Sequence, residues 1–204
     1  MARPSAPERI ALGALAVQSW KNGAGLTREI AVSRGDIGPI GFDWRISLAE
    51  VERDAPFSAY PGIDRCITLL RGAGMRLQSA DGALDHALDT HLRPFHFSGD
   101  LSLQASLRDG ACQDFNVMTR RGVWRADVGA VHDAGELQDA DATLLLAVEG
   151  SWTIAAGTTD HDAAWDLPAD HALLWRSPRG ALRATPSSPH RAALLVVRLC
   201  QHRS

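Results

Sequence analysis

Strict alternation of apolar and polar residues, punctuated by glycine, proline and aspartate and unmatched by any segment of helical period, predicts an all-β chain of sandwich or barrel type. The clearest case is Phe42 to Ala49, where Phe42, Trp44, Ile46 and Leu48 interleave with Asp43, Arg45, Ser47 and Ala49. One face of that strand is apolar and the other carries chemistry. The same period recurs from Leu101 to Leu107, and again from Asp114 to Arg120, where Asp114, Asn116, Met118 and Arg120 face away from Phe115, Val117 and Thr119. The 204 residues, 45% of them hydrophobic, suffice for one large domain or two small ones with a buried core.

Taken in order, the apolar run Ile10 to Val17 is short and is preceded by Glu8 and Arg9, so it reads as a first strand rather than a secretory leader. Next comes Trp20-Lys21-Asn22-Gly23-Ala24-Gly25-Leu26-Thr27-Arg28-Glu29-Ile30, an aromatic, a cation, an amide and two glycines ahead of strand-like residues. It is open to two readings: a hairpin turning at Asn22-Gly23, or a binding loop in which Lys21 and Asn22 meet an anionic or polar group. His86, His91 and His96 recur every five residues, an interval that brings three ligands together on neither a strand nor a helix, so they are expected at strand ends or in loops. The stretch Ala126 to Ala142, rich in Asp, Gly and Ala, is expected to be a connector.

Charge and cysteine content exclude several function classes. A net charge of -3 with no long run of either sign gives no basis for a nucleic-acid or membrane partner, and no segment is long enough to span a bilayer. Cys66, Cys112 and Cys200 are odd in number and widely spaced, which argues against a disulfide framework or zinc ribbon and fits a reducing cytoplasm. No G-x-S-x-G elbow or phosphate loop is present, and the two cysteines Cys66 and Cys112 lack a nucleophile signature.

Leu69-Leu70-Arg71-Gly72 resembles Ala147-Val148-Glu149-Gly150, 78 residues later, and the same offset carries Phe115 and Val117 onto Ala193 and Leu195. The strand and turn ending at Gly72 resemble the close of the first cupin motif, so two barrels in tandem are expected, over 1–125 and 126–204, intertwined as one unit. Most cupins hold a transition metal with three histidines and a glutamate. Counting that spacing back from Gly72 puts Arg65 at the glutamate position and Ser58 and Tyr60, or Ala59 and Pro61, at the histidine positions, while Gln113 takes the last histidine position. In the second half Thr143 replaces the glutamate, Leu137 or Asp139 stands where histidine is expected, and only His190 lands near a ligand position. Neither a metal nor another cofactor is therefore expected.

What remains on the alternate strand faces is polar and mostly cationic: Lys21, Arg45, Arg65 and Arg120, with Asn22, Ser47, Asp114 and Asn116. Facing a barrel interior, these would form a pocket in which Arg45 and Arg65 grip a carboxylate while Asn22 and Asn116 read an amide or formyl oxygen. Alternatively each arginine pairs at the surface with a neighbouring Asp43, Asp64 or Asp114.

The loop Trp20 to Ile30 and the strand Phe42 to Ala49, with Pro56-Phe57-Ser58-Ala59-Tyr60-Pro61-Gly62-Ile63-Asp64-Arg65 and Asp114 to Gly122, together resemble the HutD/Ves family. Tyr60 stands where that family often has Phe, and little of the likeness lies beyond Gly122. The resemblance implies a metal-free bicupin, built of double-stranded β-helix (jelly-roll) barrels and associated with histidine utilisation. It implies binding of a small acid such as urocanate or formylglutamate, in a regulatory or governor role, with Lys21, Asn22, Arg45, Arg65, Asn116 and Arg120 in the pocket. Two other readings stand beside it: a metal-free isomerase or hydrolase with Asp114 as proton carrier, and a protein-interaction bicupin with a vestigial pocket. Sheets packed back to back would also admit a homodimer.

Overall fold

The structure is a computed structural model that describes residues 6–34, 41–156, 163–177, 180–188 and 191–202. Among these the chain forms nineteen strands, a single 3₁₀ turn at Leu12–Ala14 and no α-helix. In chain order the first eleven are β1 (Glu8–Ala11), β2 (Val17–Ser19), β3 (Gly25–Ser33), β4 (Trp44–Val51), β5 (Ala55–Phe57), β6 (Ile63–Arg71), β7 (Met75–Ser79), β8 (Asp85–Leu88), β9 (Phe95–Ser98), β10 (Leu103–Leu107) and β11 (Cys112–Arg120). The rest are β12 (Trp124–Val131), β13 (Gly135–Leu137), β14 (Ala142–Glu149), β15 (Trp152–Ala156), β16 (Ala164–Leu167), β17 (His171–Trp175), β18 (Leu182–Pro186) and β19 (Ala193–Gln201). No helix of the described residues is long and apolar enough to cross a membrane.

The chain divides into two units, Leu15–Ala126 with His202–Ser204, and Met1–Ala14 with Asp127–Gln201. The expected first strand is in fact two. β1 pairs with β17, from Glu8 opposite Leu174 to Ala11 opposite His171, the 3₁₀ turn intervenes, and β2 pairs with β3. The expected connector is likewise structured: its small residues form β12 at the edge of the sheet beside β19, and β13 beside β18. An edge strand needs no apolar run on both faces, so its composition resembles that of a loop.

The first unit is a two-sheet barrel, with six strands in the order β2-β3-β4-β11-β6-β9 and four in the order β5-β10-β7-β8. Between the sheets lies a core of Val51, Phe57, Ile67, Leu69, Met75, Leu77, Leu88, Leu103, Ala105 and their neighbours. The apolar face expected of Phe42 to Ala49 points the other way, and Trp44, Ile46, Leu48, Phe115 and Val117 are also buried there. The second unit repeats the arrangement, with β13-β18-β15-β16 as its four-stranded sheet and β12-β19-β14-β17-β1 as the larger one.

The duplication read from Leu69 and Ala147 extends to backbone irregularities, although in the paired strand the offset is 80 rather than 78, so that Phe115 and Val117 correspond to Leu195 and Val197 and not to Ala193 and Leu195. In each larger sheet the pairing slips by one residue at the same place, between Gln113 and Asp114 opposite β6, and between Ala147 and Glu149 opposite β19. Each bulge is followed by a glycine at positive φ, Gly72 at 88° and Gly150 at 70°. A Cβ there would lie 2.5 Å from the Ala111 carbonyl oxygen in the first unit and 2.6 Å from that of Arg191 in the second. Only glycine tolerates both the conformation and the approach.

Candidate functional site

Three strands of the larger sheet bring the chemistry-bearing residues of the first unit into register. Ser47 on β4 lies opposite Asn116 on β11, Arg45 lies opposite Met118, and Met118 lies in turn opposite Arg65 on β6. Because side chains alternate, these residues share the inward face with Ala49 and Asp114. Past the apolar core the interior opens into a cavity of about 390 Å³ lined by Lys21, Asn22, Arg45, Ser47, Arg65 and Asn116 among others. Six of the eight sequence-expected residues are therefore gathered in one place. Arg120 does not line the cavity and pairs with Asp43 at 2.5 Å, the aspartate partner that was the alternative for the arginines, although the pair is largely buried rather than at the surface. Asp114 does not line it either; fully buried, it lies one alternation below Asn116 on the same face of β11.

The Trp20–Ile30 loop takes the first of its two readings, the hairpin, and its turn faces a cavity. Ser19 pairs with Leu26 and the Gly23 amide donates to the Trp20 carbonyl at 2.9 Å, so the segment is a hairpin. Its turn also supplies Trp20, Lys21 and Asn22 to the cavity wall. The Asn22 Oδ1 accepts from the Ala24 amide at 3.0 Å, which commits the oxygen and leaves the NH₂ as the end available to a ligand. Trp20 is fixed by its Nε1–H donating to Thr27 Oγ1 at 2.8 Å, and packs edge-on against Phe57.

Arg65 is the centre of the site. It is 5% exposed, and its guanidinium carbon lies 5.3 Å from the Phe57 ring centroid, 5.6 Å from that of Tyr60 and 5.0 Å from that of Phe97. Each such contact contributes on the order of 1 kcal/mol and holds the planar fork in one orientation. Its hydrogen-bond partner is the Ser58 carbonyl at 3.3 Å, and its Nε–H is buried without one. Burial lowers the guanidinium pKa to about 10, opposed by the charge of Asp114. Arg45, by contrast, is neutralised by Glu29, which accepts its Nε–H at 2.8 Å. Among the described residues the lining carries three cations and no carboxylate.

Beneath this floor Asp114 is pushed up to about 7 by burial, against the pull of Arg65 and the Asn116 side chain. Neither of its carboxyl oxygens has a hydrogen-bond partner, and the Asn116 Oδ1 is also buried unpartnered.

Sequence reasoning missed the aromatic enclosure. Phe57 and Tyr60 lie in the quoted Pro56–Arg65 stretch, and Phe97 follows Phe95 at the strand period, which was the available signal. The segment Ser98–Asp100 fixes Tyr60. The Tyr60 amide donates to the Gly99 carbonyl at 2.6 Å, and the Asp100 carboxylate accepts from the Gly62 amide at 2.7 Å. That amide, with Arg121 and Ser98, holds the exposed Asp100 down at about 2. His91 and His96 are exposed, whereas His86 is half-buried on β8 and stacks on Phe95 with centroids 3.5 Å apart. His190 lies outside the described residues. Among the described residues no three His, Cys, Asp or Glu side chains converge, and with Arg65 at the glutamate position the donor set of the first barrel does not fit a cupin metal.

The HutD family profile matches residues 14–194. The chain belongs to the HutD family. A conserved protein of unknown function from Pseudomonas aeruginosa is 32% identical, with a TM-score of 0.81 over 97% of this chain and all of the other. HutD from Pseudomonas fluorescens, solved in a formate condition, is 27% identical with the same TM-score and coverage. The cupin fold of this HutD protein is seen again in the oxalate decarboxylase of Lactobacillus farciminis, at 8% identity and a TM-score of 0.68 over 97% of this chain and 87% of that one.

Proposed function

We propose that this HutD protein binds a small carboxylate in its first barrel, with Arg65 as the principal anion contact, Asn116, Ser47 and Asn22 as polar contacts, and Lys21 at the mouth. The observation that carries the reading is a caged, nearly buried arginine with an unpartnered Nε–H, in a cavity whose lining, among the described residues, holds three cations and no carboxylate. A desolvated guanidinium held rigid in advance loses little on binding, and planar bidentate pairing favours a carboxylate over a spherical anion. Formate in the P. fluorescens HutD experiment belongs to the same chemical class. Within a histidine-utilisation context, the candidates are urocanate and formylglutamate, sensed rather than consumed, since Asp114 lies below the lining and is not placed to touch a ligand. Titration calorimetry of the purified protein with formate, urocanate and N-formylglutamate tests this. Binding that falls at least tenfold in Arg65→Ala is expected; no binding of any of the three, or equal binding by the variant, would overturn it.

A further inference from the structure

The carboxyl group of Asp114 has no contact with a ligand in the proposed site, yet its surroundings are unusual for a carboxylate. It is fully buried, neither oxygen has a hydrogen-bond partner, and the one full charge acting on it is Arg65, the residue a ligand would engage. An ionised carboxylate in such a place needs donors or a cation; the charge of Arg65 and the neighbouring Asn116 side chain both favour it but do not offset its burial. A ligand carboxylate arriving at Arg65 places a second negative group in the field of one nearly buried guanidinium. Two carboxylates that share one buried cation compete for it, and the one without hydrogen bonds is the one that takes a proton.

We propose that ligand entry is coupled to proton uptake: the ligand carboxylate takes over Arg65, and one proton from solvent passes to an Asp114 oxygen, leaving a neutral carboxyl beneath the bound anion. The coupling rests on the carboxylate reading of the cavity and sharpens it, because it makes Asp114 a positioning residue that sets when Arg65 is available. The groups around Asp114 leave it the role alone. Arg45 of β4 is engaged by Glu29 of β3. Cys112 on β11 is pushed up to about 12 by burial and by Asp114 itself, and so stays a neutral thiol. Tyr60 reaches Arg65 through its ring face. The opposing four-stranded sheet adds mainly apolar side chains to the core, and burial lowers the pKa of its His86. Asp114 is pushed up to about 7, so the exchange falls at neutral pH.

The experiment is titration of the intact protein with formate, which stays ionised throughout, between about pH 6 and about pH 9. The wild-type Kd should be flat below about pH 7 and then weaken toward tenfold per pH unit, while Asp114→Asn shows no such slope. Should the asparagine variant fold poorly, Asp114→Leu substitutes for it, since Leu194 occupies the equivalent ladder position of the second barrel. A second readout is calorimetry in two buffers of different ionisation enthalpy, from which uptake of close to one proton per formate is expected above neutrality. Formate binding with a flat wild-type profile, or a slope that persists in both variants, overturns the coupling and leaves the site intact. Absence of formate binding at every pH would overturn both.

Discussion

At the scale of single residues, the pair Arg65 and Asp114 costs stability in order to hold a cation ready. Buried charges repay their desolvation only when they are paired and hydrogen-bonded, and here the Arg65 Nε–H and both Asp114 oxygens lack hydrogen-bond partners, with only the longer-range attraction between the two groups to offset it. The consequence is a definite pH dependence. Asp114 keeps its proton up to about 7 in the folded state, against 3.8 for an ordinary aspartate, so between those values the folded state binds more protons than the unfolded one. Stability from this group is complete at the acid end of that window and is lost as pH rises through it, by roughly 2–4 kcal/mol. Asp100 works in the opposite sense at lower pH, since its depressed value makes its contribution fade as pH falls toward about 2. Urea unfolding at about pH 5 and about pH 8 should therefore show Asp114→Asn gaining on the wild type as pH rises. A constant gap between the two proteins would show that Asp114 does not titrate in the window.

At the scale of elements, the site depends on a loop held from behind. The turn that carries Ser58 and Tyr60 is bonded to Gly99, where an added Cβ would lie 2.7 Å from the Ile63 carbonyl oxygen and 2.8 Å from that of Tyr60. Gly99→Ala must push this turn, and with it one wall of the Arg65 enclosure. The expected result is a formate Kd raised at least threefold together with a modest fall in Tm; unchanged affinity would mean that Tyr60 is not needed to orient the arginine. This arrangement also shows where the sequence was legible. Alternation at Phe42 to Ala49 and at Asp114 to Arg120 placed Arg45, Ser47 and Asn116 on one inward face, because the period of a strand is two whatever surrounds it. It could not separate Arg120, which is on the same face of β11 but pairs with Asp43 beyond the cavity, since alternation tells nothing of position along the barrel axis. Nor could it show that Glu29 takes Arg45, because that partner comes from an adjacent strand through a bulged register. The weakly patterned segments failed for the same reason: β12 and β13 are defined by the strands they pair with.

At the scale of the whole molecule, the duplicated barrel contains its own control. Counting from the matched bulges, Thr143 and Leu194 take the ladder positions of Arg65 and Asp114, Val196 that of Asn116, and Trp175 that of Phe97. Leu194, Val196 and Trp175 all belong to a continuous apolar core, and Trp175 packs edge-on against Trp165. The same backbone therefore supports either a filled barrel or one with a charged floor, and Arg65 and Asp114 are a local departure from the apolar solution. Transferring that solution gives the strongest prediction. Arg65→Thr alone leaves Asp114 buried without its cation and should lower stability by roughly 2–4 kcal/mol at about pH 8, and by less at about pH 5, where the carboxyl is protonated. Adding Asp114→Leu should restore stability to within about 1 kcal/mol of the wild type or above it, and remove the pH difference, because no buried charge is then left unpaired. Formate binding should be absent from both variants. Chemical denaturation of the wild type, the two single variants and the double variant gives the coupling directly. A double variant as unstable as Arg65→Thr would mean that the first barrel needs the arginine itself to fold, not merely to bind.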